Sequence, residues 1–300
     1  MASISNEENE EYDNGEHEGH DWKKRFFPVR ESSCKTGWII DQSEITSGTV
    51  GKLYSACCGE KCTYIAKHID FKVYNNKSYI ESTFNDEVRT QMIMDNLILA
   101  PKVHDYWSCS HGGMIIMDRL DMTLHEAIYR LYRLKPIMIY ALIKEFISGI
   151  FVMNSMKICH DDIHLENVML KVKNDRDLQM GEYTLMFIDF GVSYMITEKR
   201  PRCNDGKDIY YGLYDFWLDE FSTNQNTRNK GDFYIKLSLV LLYKTFKICS
   251  KDYPKDPVIS KEPVISEQDY IMFGTDLPDN ERPQALSFDY RYNKNIFNRT

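Results

Sequence analysis

The sequence predicts an α+β fold in two lobes, a small strand-rich one carrying a single helix and then a mainly helical one. Three observations predict it. Residues 37 to 73, "GWIIDQSEITSGTVGKLYSACCGEKCTYIAKHIDFKV", alternate, are rich in β-branched side chains and are punctuated by Gly48, Gly51 and Gly59, as successive antiparallel strands are. Beyond residue 121 the apolar period lengthens to that of a helix. A chain of 300 residues lies where single cores stop growing, so two lobes can each be filled.

The elements follow in order. Residues 1–25 are acidic and nearly free of aliphatic side chains, which predicts a disordered tail. Residues 30–120 form the first lobe: the strands above, a helix in "ESTFNDEVRTQMIMDNLI", then strands "KVHDYWSC" and "GMIIMDRL" joined by the turn-forming "SHGG". Residues 121–250 form the second lobe. In "PIMIYALIKEFISGIFVMNSMK" a proline opens the helix, and Ile143, Ile147, Ile150, Phe151 and Asn154 share one stripe, so a core helix delivers the chain to Cys159. "ENVMLKV" and "YTLMFIDFG" read as short strands around the polar "KNDRDLQMGE". A long irregular stretch then precedes the apolar helix "DFYIKLSLVLLYKTF". Residues 251–300, with a tandem Pro-Val-Ile-Ser, read as an extension packed on the surface or partly disordered.

Composition excludes several classes. A formal charge of -8 argues against a general nucleic-acid binder, which must neutralise phosphates. No apolar run is expected to reach the roughly 20 residues that span a bilayer, and the N-terminus lacks the apolar core of a signal peptide. A soluble, intracellular monomer is expected, with its eight scattered cysteines reduced. Cys57, Cys58 and Cys62 read as residues of a hairpin, since no second ligand pair stands at zinc spacing nearby.

Five polar features then follow one another: a glycine loop, a strand lysine, a helix glutamate, the loop "HDDIHLEN" and the aspartate of "FIDFG". Phosphoryl transfer from a nucleotide needs a backbone that approaches phosphates closely, a cation to hold them, oxygen ligands for magnesium, and a carboxylate near the accepting hydroxyl. Singly each feature is weak. Together "H-x-D-I-x-x-x-N" with "I-D-F-G" 22 positions later, all downstream of a glycine loop and an "A-K" strand, is specific.

On these residues the chain resembles the protein kinase superfamily from about residue 45 to about 240, which implies a bilobal protein-kinase-like fold. "ITSGTVGKLY" resembles the glycine-rich loop, with Gly48 and Gly51 at glycine positions and Thr46 where the first glycine would be. "YIAK" resembles the strand that supplies the phosphate-binding Lys67, with Glu87 as its ion-pair partner. "HDDIHLEN" resembles the catalytic loop, which implies Asp162 as base, Asn167 as a metal ligand and His160 as a structural histidine. The resemblance further implies Asp189 as the principal metal ligand and Asp232 as the aspartate that anchors the catalytic-loop backbone. It implies adenine stacked under Ala66, bonded to the backbone around Asp118, Arg119 and Leu120, with Met117 behind it. ATP and Mg²⁺ are the implied cofactors, and serine or threonine hydroxyls of proteins the implied acceptors.

The chain departs from the pattern at three places. Asp161 stands where many regulated kinases carry an arginine that pairs with a phosphorylated loop, so activity independent of loop phosphorylation is expected. His164 replaces a lysine that contacts the transferring phosphate, as in haspin-like kinases and in aminoglycoside and choline phosphotransferases. No "A-P-E" follows, and only 68 residues remain after Asp232, which implies a shortened helical lobe. The aromatic, acidic "DIYYGLYDFWLDEF" is read as core packing. The first reading is a divergent serine/threonine protein kinase resembling those of large DNA viruses, with a host-cytoplasmic location if viral. A small-molecule phosphotransferase and a partner-binding pseudokinase are the alternatives.

Overall fold

Alternation over residues 37–73 becomes a meander of antiparallel strands: β1 (Ile39–Ser47), β2 (Lys52–Cys58) and β3 (Lys61–Asp70). The computed structural model describes residues 37–47, 51–71, 77–109, 112–200, 203–221, 229–248, 263 and 265–277; the acidic N-terminal stretch, Gly48 and most of the C-terminal extension lie outside them. The chain divides into two units. The first runs to Met92 and resumes over Pro101–Arg119; the second comprises Ile93–Ala100 and everything from Leu120.

In the first unit, α1 (Lys77–Asn96), β4 (Val103–Cys109) and β5 (Gly112–Asp118) complete a five-stranded antiparallel sheet of order β1-β2-β3-β5-β4 with one helix. Gly59 turns β2 into β3 at a φ of +57°, which glycine adopts without a Cβ penalty. The period of two then sorts side chains to opposite faces. On one face Ile80, Phe84 and Val88 of α1 pack on Ile69, Ile115 and Met117; on the other, Trp38 and Tyr54 pack with Tyr64, Ala66 and Ile116.

The second unit is mainly helical. Met122–Thr123 (β6) leads into α2 (Leu124–Leu134), where Thr123 and Glu126 form a reciprocal capping box that satisfies two otherwise orphaned N–H groups. Next is α3 (Ile137–Ser155), the expected core helix. Its length and a mean hydropathy of 1.6 do meet the requirements of a membrane span, contrary to the sequence expectation. Ile139, Leu142, Ile143, Phe146, Ile150 and Met153 are fully buried, each stabilising the fold by roughly 1.5–3 kcal/mol, so the apolar content is that of a core helix.

A short strand β7 (Ile158–Cys159) precedes β8 (Val168–Lys171), α4 (Asp175–Met180), β9 (Thr184–Phe187) and β10 (Tyr194–Met195). β6, β8 and β9 pair as one sheet, β7 and β10 as another. The polar excursion "KNDRDLQMGE" holds α4, which Asn174 caps at one end and Gly181, at a φ of 79°, closes at the other. The irregular stretch likewise holds α5 (Asp205–Phe221), whose Ile209, Tyr210, Leu213 and Tyr214 enter the main core. Core packing is therefore the role of the aromatic, acidic segment. Then come α6 (Lys230–Thr245), α7 (Glu267–Phe273) and a closing 3₁₀ turn, Gly274–Asp276.

The expectation of reduced cysteines is not met. The β2–β3 hairpin brings Cys57 and Cys62 to a Cα separation of 3.9 Å, and they form a disulfide; Cys159 and Cys203, 5.6 Å apart, form another. Spacing along the chain could not reveal the second pair, whose partners are 44 residues apart.

Candidate active site

In the first unit, alternation along β3 buries Lys67 on the helix face of the sheet. Its ammonium lies 2.5 Å from Glu87 Oε1 on α1, with side chains only 8% and 1% exposed. Away from water the attraction is strong, and removing either partner would leave a buried charge. Gly51 lies against this lysine: a Cβ there would meet His68 O at 2.9 Å and Lys67 Cε at 3.3 Å, so a side chain would press on both. Thr46 is exposed on β1 opposite Leu53.

Ala66 requires a correction. It lies on the face opposite Lys67, fully buried among Trp38, Tyr54 and Ile116, because neighbours along a strand point to opposite sides. The residue two places before Lys67 and on its face is Ile65, which pairs with Met117 across β5. Met117 packs on that same face, and its sulfur accepts a hydrogen bond from Gln91 Nε2 at 3.3 Å. The Asp118 carboxylate is held by His104 at 2.8 Å. The N–H groups of Asp118 and Arg119 donate to Lys102 O and Thr63 O, so both donors are engaged within the sheet. Leu120, where the chain re-enters the second unit, is buried.

The loop after β7 alternates as well. Ile163 and Leu165 are buried in the core, which turns Asp162, His164 and Glu166 outward to solvent. Buried Asn167 donates its amide to Asp162 O (2.9 Å) and Asp162 Oδ2 (3.2 Å), while its backbone oxygen accepts from Ile188 N at 3.0 Å. Ile188 O in turn accepts from His160 Nε2 at 2.8 Å, which fixes the ring proton on that nitrogen. Burial holds His160 below its ordinary pKa, so the imidazole is neutral. Ile188 is thereby clamped from both sides, and Asp189 follows it at a φ of +64°, a conformation that aspartate tolerates better than most residues. Phe190, 1% exposed, packs against the His160 ring, and Ser193 donates both N–H and Oγ–H to Phe190 O.

This donor set suits a small hard cation. Asn167 has used its amide on Asp162, leaving its carbonyl oxygen, and Asp189 adds a carboxylate through Ile188. Magnesium takes one or two such oxygens and completes its shell with water and phosphate.

Asp232 is not the anchor of the catalytic loop. That role falls to Asp205, 1% exposed in the first turn of α5, whose Oδ2 accepts from His160 N at 2.9 Å and Oδ1 from Asp161 N at 2.8 Å. Asp232 instead accepts from Tyr132 Oη at 3.0 Å and Trp217 Nε1 at 3.3 Å, tying α6 to α2 and α5. The sequence signal for Asp205 was available: an acid opening a segment with apolar residues at 209, 210, 213 and 214, one helix face. Burial pushes the Asp205 carboxyl up, opposed by its two backbone donors.

Two further contacts had no linear signature. Arg200 Nη2 lies 2.5 Å from Asp161 Oδ2, with its guanidinium over the Tyr194 ring, so the acid stands on the catalytic loop and the cation on the segment after Asp189. Glu166 accepts from His164 Nδ1 at 2.8 Å and faces His125 Nδ1 at 3.4 Å, which orients the His164 ring.

Compared with known families, residues 39–234 match the protein kinase domain. No curated protein matches the chain.

Proposed function

We propose, since this chain belongs to the protein kinase domain family, that it transfers the γ-phosphate of ATP to serine or threonine hydroxyls of protein substrates. Membership supports phosphotransferase activity in general. One observation supports this reading: the exposed Asp162 accepts from the Asn167 amide, and the Asn167 backbone oxygen accepts from Ile188 N, the residue that precedes Asp189.

In this reading Lys67, steadied by Glu87, holds the α- and β-phosphates, and Gly51 keeps the backbone close to them. Thr46 and Gly48 belong to the same phosphate loop. The Asp118 carbonyl accepts from adenine and the Leu120 N–H donates to it, with Ile65 in the place first given to Ala66 and Met117 behind. Asp162 orients the acceptor hydroxyl and takes its proton. Bound Mg²⁺, held by Asn167 and Asp189, would offset charge on the transferring phosphoryl group. His164, its Nδ1–H directed at Glu166, presents Nε2 as its remaining polar atom.

A second reading, a small-molecule phosphotransferase, is favoured by one observation: only fifteen residues separate Asp189 from Asp205, a short segment on which to seat a peptide. The deciding experiment supplies ATP labelled at the γ-phosphate with Mg²⁺, general protein substrates, and a panel of alcohols and aminoglycosides, with Asp162→Asn as control. Label on protein that vanishes in the variant is expected. Label on a small molecule promotes the second reading, and nucleotide binding without transfer points to a scaffold that binds partners.

A further inference from the structure

We propose that Cys159 and Cys203 form a site of reversible oxidation that governs how firmly the catalytic loop is held, a regulation that rests on the phosphotransferase reading. The two sulfurs are joined, and they flank the loop's anchor at 3.7 Å from Asp205 Oδ1 and 3.0 Å from Oδ2. Cys159 immediately precedes His160, and Cys203 lies two residues before Asp205. The bond therefore closes a loop containing Asp162, Asn167, Asp189 and Arg200. Beyond it, the segment after Asp189 is held to the rest by the two-residue β7–β10 ladder, the Ile196 N–H bond to Lys157 O and the Asp161–Arg200 pair.

The two sulfurs are unequal. Cys159 is fully buried and paired in β7, whereas Cys203 is partly exposed in an irregular stretch. Oxidation by a small disulfide such as oxidised glutathione starts at Cys203: its thiolate attacks one glutathione sulfur and expels a glutathione thiolate. The Cys159 thiolate then attacks the Cys203 sulfur of the mixed disulfide and expels the second. Two protein thiols lose two electrons and two protons, and one disulfide becomes two thiols. On reduction the unbonded sulfurs must separate to van der Waals contact. Cys159 is fixed in the core, so Cys203 moves, drawing on Asp205 and on the segment behind it. With the sulfurs joined to each other, no thiolate is left for a metal ion, although these two cysteines and Asp205 have metal-ligating proximity.

The test equilibrates the full chain across a series of glutathione redox buffers and maps alkylated Cys159 and Cys203 by mass spectrometry. It then measures phosphate transfer and the rate of tryptic cleavage after Lys199. Reduction is expected to convert both cysteines together, speed cleavage at least fivefold and lower transfer at least threefold. Cys203→Ser should behave as reduced chain in every buffer. The proposal is overturned if both cysteines remain alkylatable throughout, or if Cys203→Ser responds as the parent does, which would assign the effect to other cysteines. Should no redox state transfer phosphate, the phosphotransferase reading fails alone, because the alkylation and cleavage measurements still decide the switch.

Discussion

Exchanging Asp205 for asparagine should cripple the protein where the same exchange at Asp232 does not. Asp205 accepts two backbone N–H groups, one on each oxygen. Asparagine keeps one acceptor and turns an NH₂ toward the other N–H. Losing a charge-assisted bond costs about 1.5–3 kcal/mol, and leaving a buried donor unsatisfied about 1–3 kcal/mol more. The amide escapes the burial penalty that pushes the Asp205 carboxyl up, so a net loss of about 3 kcal/mol is reasonable, with a fall in Tm of roughly 6–12 °C. Phosphate transfer should drop by about 10²-fold, the usual effect of an ångström of misplacement in a catalytic group. At Asp232 both neighbours donate to Oδ1, which asparagine retains, so the loss should stay below about 1 kcal/mol. Scanning calorimetry and labelled-phosphate transfer on both variants provide the assay. Equal Tm shifts, or a larger one for Asp232→Asn, would refute the assignment of the anchor.

Lys67→Met should abolish transfer and destabilise by roughly 3–5 kcal/mol, because the cation facing buried Glu87 is gone; adding Glu87→Leu should recover most of the Tm but none of the activity, and identical melting of single and double variants would count against the buried pair. Arg200→Ala should lower transfer severalfold while costing at most about 1 kcal/mol of stability, since that pair is partly solvated. The exchange Asp161→Arg with Arg200→Asp should restore activity, and phosphatase treatment of the parent should leave it unchanged; a phosphatase-sensitive parent would sink this account. Asp208, raised to about 6 by burial and then by the neighbouring Asp205, Asp161 and Asp162, binds protons more tightly folded than unfolded. Its stabilising contribution is complete below about pH 4 and lost as pH rises through about 6. Its carboxyl is partly desolvated while the residue as a whole stays open to solvent, which screens the effect to under about 1 kcal/mol, and Asp208→Asn should flatten the plot of Tm against pH between 4 and 6.

Sequence reading succeeded wherever the signal was periodic or the residues adjacent. The alternation of β1–β3, the stripe of α3 and the contiguous catalytic loop each express geometry within a few residues. It faltered where identity depends on partners far along the chain. Asp232 and Asp205 are both acids in the first turn of a helix, and only the hydrogen bonds from His160 and Asp161 tell them apart. Ala66 was misassigned through a shift of one residue, which in a strand reverses the face. The Arg200–Asp161 contact joins residues 39 apart and the Cys159–Cys203 bond residues 44 apart, separations at which no local pattern survives. α4 was missed for a different reason: it is short and polar, and its Asn174 and Gly181 caps carried the signal instead of an apolar stripe.

The turn around Asp189 bears on which inhibitors could succeed. Compounds that bind by expelling the phenylalanine after Asp189, the proposed metal ligand, would have to extract Phe190 from a core position, break both Ser193 bonds to its carbonyl and release Ile188 from Asn167 and His160. Withdrawing the ring alone costs about 1.5–3 kcal/mol, a tenfold to hundredfold handicap in affinity before any hydrogen bond is counted. Selectivity would therefore come more readily from ligands that leave this turn intact.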